Sequence, residues 1–344
     1  MALTLAERAA YAAAQAARVG WYFGHYALGR RLLKPMPKPQ FAVGPTPQRA
    51  ELMAALRDLF RQDLANIEAG HYALPLAGRP DPLGLLAKSL RYFRDLPQVD
   101  RRRQAGEGQE PDDDPAFAHL PRYFRQNFHY QSDGYLSDHS AGLYDTQVEV
   151  LFTGAADAMR RQALVPIAQF AHARRSRNLA LLDIGCGTGR FLRMVKDNWP
   201  MMAAAGVDLS QPYLERARKN LRRHPMVDLR EAAAEALPFD DGAFDIVAST
   251  FVLHELPASV RATALAEMAR VVKPGGLVVI LESLQKGDRP DWDGLLDLFP
   301  HVFHEPYYKN YVESDLAQAL RDAGLEPAPP LPAFLAKVIA ATRP

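Results

Sequence analysis

In Leu182-Asp183-Ile184-Gly185-Cys186-Gly187-Thr188-Gly189-Arg190 an apolar run ends in an acid and in three glycines at alternate positions. Glycines in that pattern remove every Cβ on one side, so the backbone bends sharply and a ligand can lie against it. The run before the bend, LALLDI from Leu179, reads as a strand, and residues 188–199 read as a helix. The same alternation continues outward. AAAGVDL, MVDLR, FDIVAST and GLVVILES read as strands, with helix-length segments at 211–223 and 258–272. A helix is expected from about Glu313 to Ala323, and a last strand from Phe334 to Thr342. Strands alternating with helices predict an α/β fold with a parallel sheet covered on both faces.

In such a sheet ligands bind beyond the carboxyl ends of the strands, so the first turn is where chemistry is expected. Its spacing discriminates among ligands. A dinucleotide fingerprint is G-x-G-x-x-G and a phosphate loop is GxxxxGK[ST], whereas this turn reads G-x-G-x-G. Nineteen positions after Gly189, Asp208 stands at the tip of the second strand. Such an acid can accept two ribose hydroxyls while Leu209 packs on an adenine ring.

DIGCGTGRF, GVDLS, EALPFDDGAFDIV and RVVKPGG together resemble the successive motifs of class I S-adenosylmethionine-dependent methyltransferases, over residues from about 120 to 344. Tyr144-Asp145, Leu151-Phe152-Thr153-Gly154 and Met159-Arg160-Arg161 bring the resemblance closest to the C-methyltransferases of ubiquinone and menaquinone biosynthesis. The resemblance implies a Rossmann-like, seven-stranded, mostly parallel sheet and S-adenosyl-L-methionine as cofactor, with S-adenosyl-L-homocysteine as product. It places Gly185, Gly187 and Gly189 under the methionine, Asp183 at its amino end, Asp208 on the ribose and Tyr144 over the methionine. Cys186, packed small within the turn, and Thr250, at the tip of the fourth strand, complete the expected cofactor set. Where the family often carries an aspartate this chain has Ala233, which leaves adenine to Ala234 and Glu235, or to a displaced Glu231.

A sulfonium already activates its methyl group, so the protein chiefly aligns an acceptor, and a base helps only where a proton must leave. His254, following the fourth strand, is the first candidate base. His301 and His304 are further catalytic candidates, within the aromatic, proline-broken segment Phe299 to Tyr311. H-x-x-H-E is not the H-E-x-x-H metalloprotease spacing, and no metal is expected. That segment and Tyr123 to Tyr135 suggest an apolar, aromatic-lined pocket for a small organic acceptor. The expected function is methyl transfer to carbon or oxygen of a small aromatic, quinone-like or lipidic molecule. The alternative is a non-catalytic S-adenosylmethionine-binding module that recognises a protein partner.

At 344 residues the chain suggests two folding units, and its 48% hydrophobic and 24% charged residues exclude wholesale disorder. Forty-one basic against forty acidic side chains leave +1, so no overall field gathers nucleic acid. One cysteine, Cys186, suits a reducing compartment, and a cytoplasmic location is expected. Residues 1–115 read as a helical N-terminal region and 116–344 as the methyltransferase domain. Within the first, residues 4–19 predict a helix and 35–47 a proline-rich linker. Gln48 to Glu68 and Leu83 to Leu96 predict amphipathic helices, and Asp100 to Pro115 a flexible charged loop. Trp21, Tyr22, Phe23 and Tyr26, followed by Arg30, Arg31 and Lys34, allow a peripheral membrane contact through residues 1–34, against the plainer reading of a packed helix.

Overall fold

The structure, a computed structural model, describes residues 3–75, 82–108 and 115–344. The chain divides into two compact units. The first comprises Met1–Ala42, Gln48–Met159 and His301–His304; the second comprises Val43–Pro47, Arg160–Pro300 and Glu305–Pro344. The sequence expectation placed one boundary at residue 115; the observed units meet near 159 and exchange two short segments.

The first unit is built on α1 (Leu5–Leu32), α2 (Arg49–Glu68), α3 (Pro82–Ala105) and α4 (Asp138–Leu151), and α5 (Ala156–Gln162) begins in it. Thr4 and Glu7 form a reciprocal capping box at the start of α1, satisfying backbone amides that the first turn leaves open. The helix expected over 4–19 runs on to Leu32, because neither Gly20 nor Gly24 interrupts it and no proline intervenes before Pro35. Inside, Tyr11 and Tyr72 both donate to the fully buried Asp63, at 2.5 and 2.8 Å. His25 reaches Ser89 at 2.8 Å, joining α1 to α3.

The loop expected from Asp100 is corrected. α3 continues through Pro97 to Ala105, because its charges find internal partners. Asp100 accepts from Lys34 N and from Arg103 Nη2, at 3.2 and 2.7 Å, while Arg102 donates to Ser132 Oγ at 3.1 Å. Residues 109–114 of that segment lie outside the described residues. The linker over 35–47 is irregular, as its prolines require.

The second unit takes up the end of α5 and adds α6 (Leu164–His172), α7 (Arg190–Asn198), α8 (Gln211–Asn220), α9 (Ala258–Val271), α10 (Asp293–Val302, whose last two residues belong to the first unit), α11 (Tyr308–Val312) and α12 (Leu316–Asp322). Its strands are β1 (Ala180–Ile184), β2 (Ala203–Asp208), β3 (Asp228–Glu231), β4 (Phe244–Thr250), β5 (Val272–Ser283), β6 (Glu326–Pro327), β7 (Leu331–Ala333) and β8 (Ala336–Thr342). They form one sheet in the order β3-β2-β1-β4-β5-β8-β6, with β7 also paired to β8. Pairs from β3 to β5 are parallel, and β8 is antiparallel to its neighbours. Six strands were located in the sequence, and the chain before β8 adds two short pieces, β6 and β7, with prolines and no apolar alternation to announce them, so eight stand where the resemblance implied seven.

Leu181, Leu182 and Ile184 on β1, and Ile246 and Val247 on β4, are completely buried. Consecutive burial of this kind means both faces of the central strands are covered, at roughly 1.5–3 kcal/mol for each large side chain. The chain proceeds from β1 toward β3 on one side and returns to β4 on the other, so the topological switch lies between β1 and β4. That is where an open parallel sheet parts to admit a ligand.

Candidate active site

The glycine turn leaves β1 at this switch. Gly185, Gly187 and Gly189 have φ of 66°, 52° and 72°, in the left-handed region that side chains disfavour. Their surroundings differ. A Cβ on Gly185 would overlap Val252 at 2.4 Å, one on Gly189 would press Ala217 and Leu221 of and beyond α8 at 3.0 Å, and one on Gly187 would meet open space. Thus the first glycine lets the chain after β4 approach, the third packs α7 on α8, and the middle one leaves room above the bend. Cys186 within the turn is buried and its thiol is pushed well up, by burial first and then by Asp208 and Asp183.

Asp183 is the residue that packing does not explain. It is 0% exposed, and neither carboxylate oxygen has a hydrogen-bond partner among the described residues. Burial, then the charge of Asp208, raise its pKa well above the ordinary carboxylate value, with Arg160 pulling the other way. An acid so placed costs stability unless something cationic or hydrogen-bonding joins it.

Asp208 at the tip of β2 is held open from beneath. Gly187 N donates to Oδ2 at 2.8 Å and Ser210 N to Oδ1 at 2.9 Å, leaving each oxygen a further lone pair. Burial, opposed by those two amides, pushes its pKa up to about 6. Ala232 N donates to Asp208 O at 3.1 Å, which brings the segment carrying Ala233, Ala234 and Glu235 beside the acid. Ala234 is buried and Leu209 half-buried, while Glu231, in register with Asp208, is exposed. Arg270 and Glu267 of α9 fasten the following loop: Arg270 donates to Leu237 O and Phe239 O at 3.1 and 2.7 Å, and Glu267 accepts from Leu237 N at 2.8 Å. Neither was singled out from sequence, although their three-residue spacing on a helix was available.

Thr250 closes β4 and is half-buried; its neighbour Ser249, 1% exposed, has an Oγ with no partner among the described residues. Ser249 was also missed in the sequence, where nothing distinguishes it from an ordinary strand serine.

His254 follows in a short 3-10 turn, Leu253–Glu255. Its Nδ1 lies 2.7 Å from Glu282 Oε2, both groups are buried, and Glu282 also accepts from Leu253 N at 2.6 Å and Ser283 N at 3.1 Å. Burial pulls the imidazole pKa down, but Glu282, with Glu255 and Glu305, more than reverses this and pushes it up to about 9. Paired in this way, His254 pins the chain after β4 to β5. The other candidate histidines belong to the first unit. His301 Nε2 contacts Pro37 O at 2.9 Å, and His304 Nε2 contacts Gln126 Oε1 at 2.8 Å, so both tie chain segments together. Tyr144, on α4, is in the first unit too.

The residues present fit the donor implied by the motifs: an orphaned buried acid, an open bend and a strand-tip carboxylate with spare lone pairs. A methyltransferase-domain family model matches residues 182–280, from β1 through most of β5. The chain is 31% identical over 183 residues to a demethylmenaquinone methyltransferase of Lactiplantibacillus plantarum, covering 50% of this chain and 74% of that protein. It is 33% identical over 138 residues to an uncharacterized 37.1 kDa protein of a Streptomyces fradiae transposon, covering 40% and 37%. A demethylmenaquinone methyltransferase of Thermus thermophilus is 36% identical over 143 residues, 41% of this chain and 61% of that one. With nearly three quarters of the first relative spanned at 31% identity, the chain belongs to the class I S-adenosylmethionine-dependent methyltransferases of the quinone-biosynthesis type.

Proposed function

We propose that this enzyme methylates carbon or oxygen of a small aromatic, quinone-like or lipidic acceptor. The observation that carries the donor half is Asp183, buried at the sheet's switch point with both oxygens unpartnered. Support for the acceptor class is the naming of two relatives as demethylmenaquinone methyltransferases. When bound, S-adenosyl-L-methionine supplies an electrophilic methyl group on a sulfonium. Asp183 takes the donor's amino end, the turn with Gly185, Cys186, Gly187 and Gly189 underlies the methionine, and Asp208 accepts from the ribose hydroxyls. Leu209, Ala234 and Glu235 flank the adenine, and Thr250 borders the crevice at β4. The crevice at the strand tips would hold the acceptor's oxygen or carbon in line with that methyl group, and the acceptor's proton would be lost to solvent or to a nearby base. His254 serves this by fixing the loop after β4, as a cation paired to Glu282.

Incubation with isotopically labelled S-adenosylmethionine and a metabolite extract, followed by mass spectrometry, is expected to give a labelled small product. Donor binding without any labelled product would favour the non-catalytic binding module. No helix among the described residues is long and apolar enough to cross a membrane. Trp21, Phe23, Tyr26 and Leu32 on α1 are all 40% exposed or more, which favours a peripheral contact of residues 1–34 with a membrane. Liposome flotation that is unchanged on deleting these residues refutes that contact.

A further inference from the structure

The chain after β4 presses on the glycine bend after β1. Val252 Cγ2 stands only 2.4 Å from where a Cβ on Gly185 would fall, so the position of Val252 limits how far that bend can move. Both neighbours of Val252 are constrained. Phe251 holds a φ of 59°, a left-handed conformation that an aromatic residue keeps only where its surroundings impose it. Its N donates to Leu281 O of β5 at 2.8 Å. Leu253, completely buried, is gripped on both backbone groups: its N donates to Glu282 Oε1 at 2.6 Å, and its O accepts from Arg261 Nε at 2.9 Å.

Arg261 lies near the start of α9 and is 5% exposed. Besides Leu253 O, it donates through Nη2 to Leu256 O at 3.1 Å and through Nη1 to Asn310 Oδ1 and Ser314 Oγ at 3.3 and 3.4 Å. Its guanidinium carbon lies 5.3 Å from the centre of the Tyr311 ring. A buried cation is ordinarily set against an acid, yet the hydrogen bonds of this one go to two backbone carbonyls, an amide and a hydroxyl. A methionine could fill the same volume without withdrawing a charge from water. What it could not do is hold two carbonyls in a rigid planar fork. Leu253 and Leu256 bracket the 3-10 turn that carries His254, so the fork sets the shape of the segment on which Val252 is mounted.

We infer that Arg261 is a positioning residue for the methyl donor: it holds the segment after β4 so that Val252 keeps the Gly185 bend in its donor-binding shape. It acts through Leu253 and Val252, not by contact with the donor. The inference rests on the reading of that bend as the donor's site and adds to it a residue that nothing in the sequence singled out.

Calorimetric titration of the full chain with S-adenosylhomocysteine tests it. Arg261→Met is expected to weaken binding about tenfold, and Arg261→Lys, which keeps a donor but loses the fork, about threefold. Should Arg261→Met not fold, Arg261→Lys carries the test. Leu277→Ala, at a buried position toward the other end of β5 from Glu282, controls for lost stability: it should lower the melting temperature and leave the affinity unchanged. In a Val252→Ala background Arg261→Met should have no further effect on affinity, because the contact through which it acts is gone. The inference is overturned if the folded Arg261 variants bind as the parent does, if Leu277→Ala weakens binding as much, or if the effects of Arg261→Met and Val252→Ala simply add. A parent that binds no S-adenosylhomocysteine refutes the donor reading and this inference with it, whereas a binding parent with unaffected variants refutes the inference alone.

Discussion

Asp183 closes β1 and Glu282 lies near the end of β5, two strands over in the same sheet, and both carboxylates are withdrawn from water. Glu282 has an imidazolium and two backbone amides on its oxygens; Asp183 has no hydrogen-bond partner among the described residues. Where Glu282 holds the chain together the fold brings it partners, whereas Asp183, to which the proposed function gives the donor's amino end, is buried without one. The same contrast recurs in the first unit, where Asp63 is filled by two tyrosines while one oxygen of Asp95 is unpaired.

The sharpest way to break this comparison is His254→Gln, which strips Glu282 of its cation. Removing one partner of a buried pair costs about 3–5 kcal/mol, and urea unfolding at neutral pH should show a loss of that order. The pair also carries a pH signature. With its folded pKa raised from 6.5 to about 9, His254 contributes stability that is complete below the lower value and lost as pH climbs through the higher one. The variant should lack that alkaline slope; an unchanged slope would contradict the assignment of charge.

Asp183→Asn is the opposite case. Donor affinity should fall about tenfold to a hundredfold, the scale of a lost hydrogen bond between charged groups. The unliganded protein should melt higher than the parent at neutral pH. Because the folded pKa of Asp183 lies above its unfolded value, its penalty is absent in acid and grows as pH rises through that interval, and the amide never incurs it. A variant that loses stability and keeps affinity would mean Asp183 is structural after all.

A subtler test uses the parent. The donor's ammonium favours ionised Asp183, so binding should release a proton and tighten as pH rises from the acid side. Titration calorimetry in two buffers of different ionisation enthalpy should give different apparent heats, and equal heats would sink the proposed contact. The smallest effect is expected from Gly187→Ala, whose Cβ meets open space but sits at a φ of 52°. About 1 kcal/mol of strain should appear as a melting shift of a few degrees, with Glu282 and its partners untouched.

The parallel sheet was legible because its signals are local. Leu179 to Ile184, the alternate glycines and Asp208 each announce themselves within a few residues, and the structure puts β1, the left-handed bend and the tip of β2 there. Charged Arg102 and Asp100 were misread as loop residues for the converse reason: Ser132 and Lys34, which absorb them, lie far away in sequence. His254 was read as a candidate base from its place after β4, but its pairing was not legible, since the partner is a carboxylate 28 positions downstream.

By itself the sequence determined the α/β fold of the second unit, the left-handed glycine turn after β1 and the acid at the tip of β2, because backbone periodicity and glycine φ preferences act over single turns. Only the tertiary structure decided that Asp183 has no hydrogen-bond partner among the described residues and that His254 pairs with Glu282. Those properties depend on burial and on distances between residues remote in the chain, and it is burial that turns a pairing or its absence into energy.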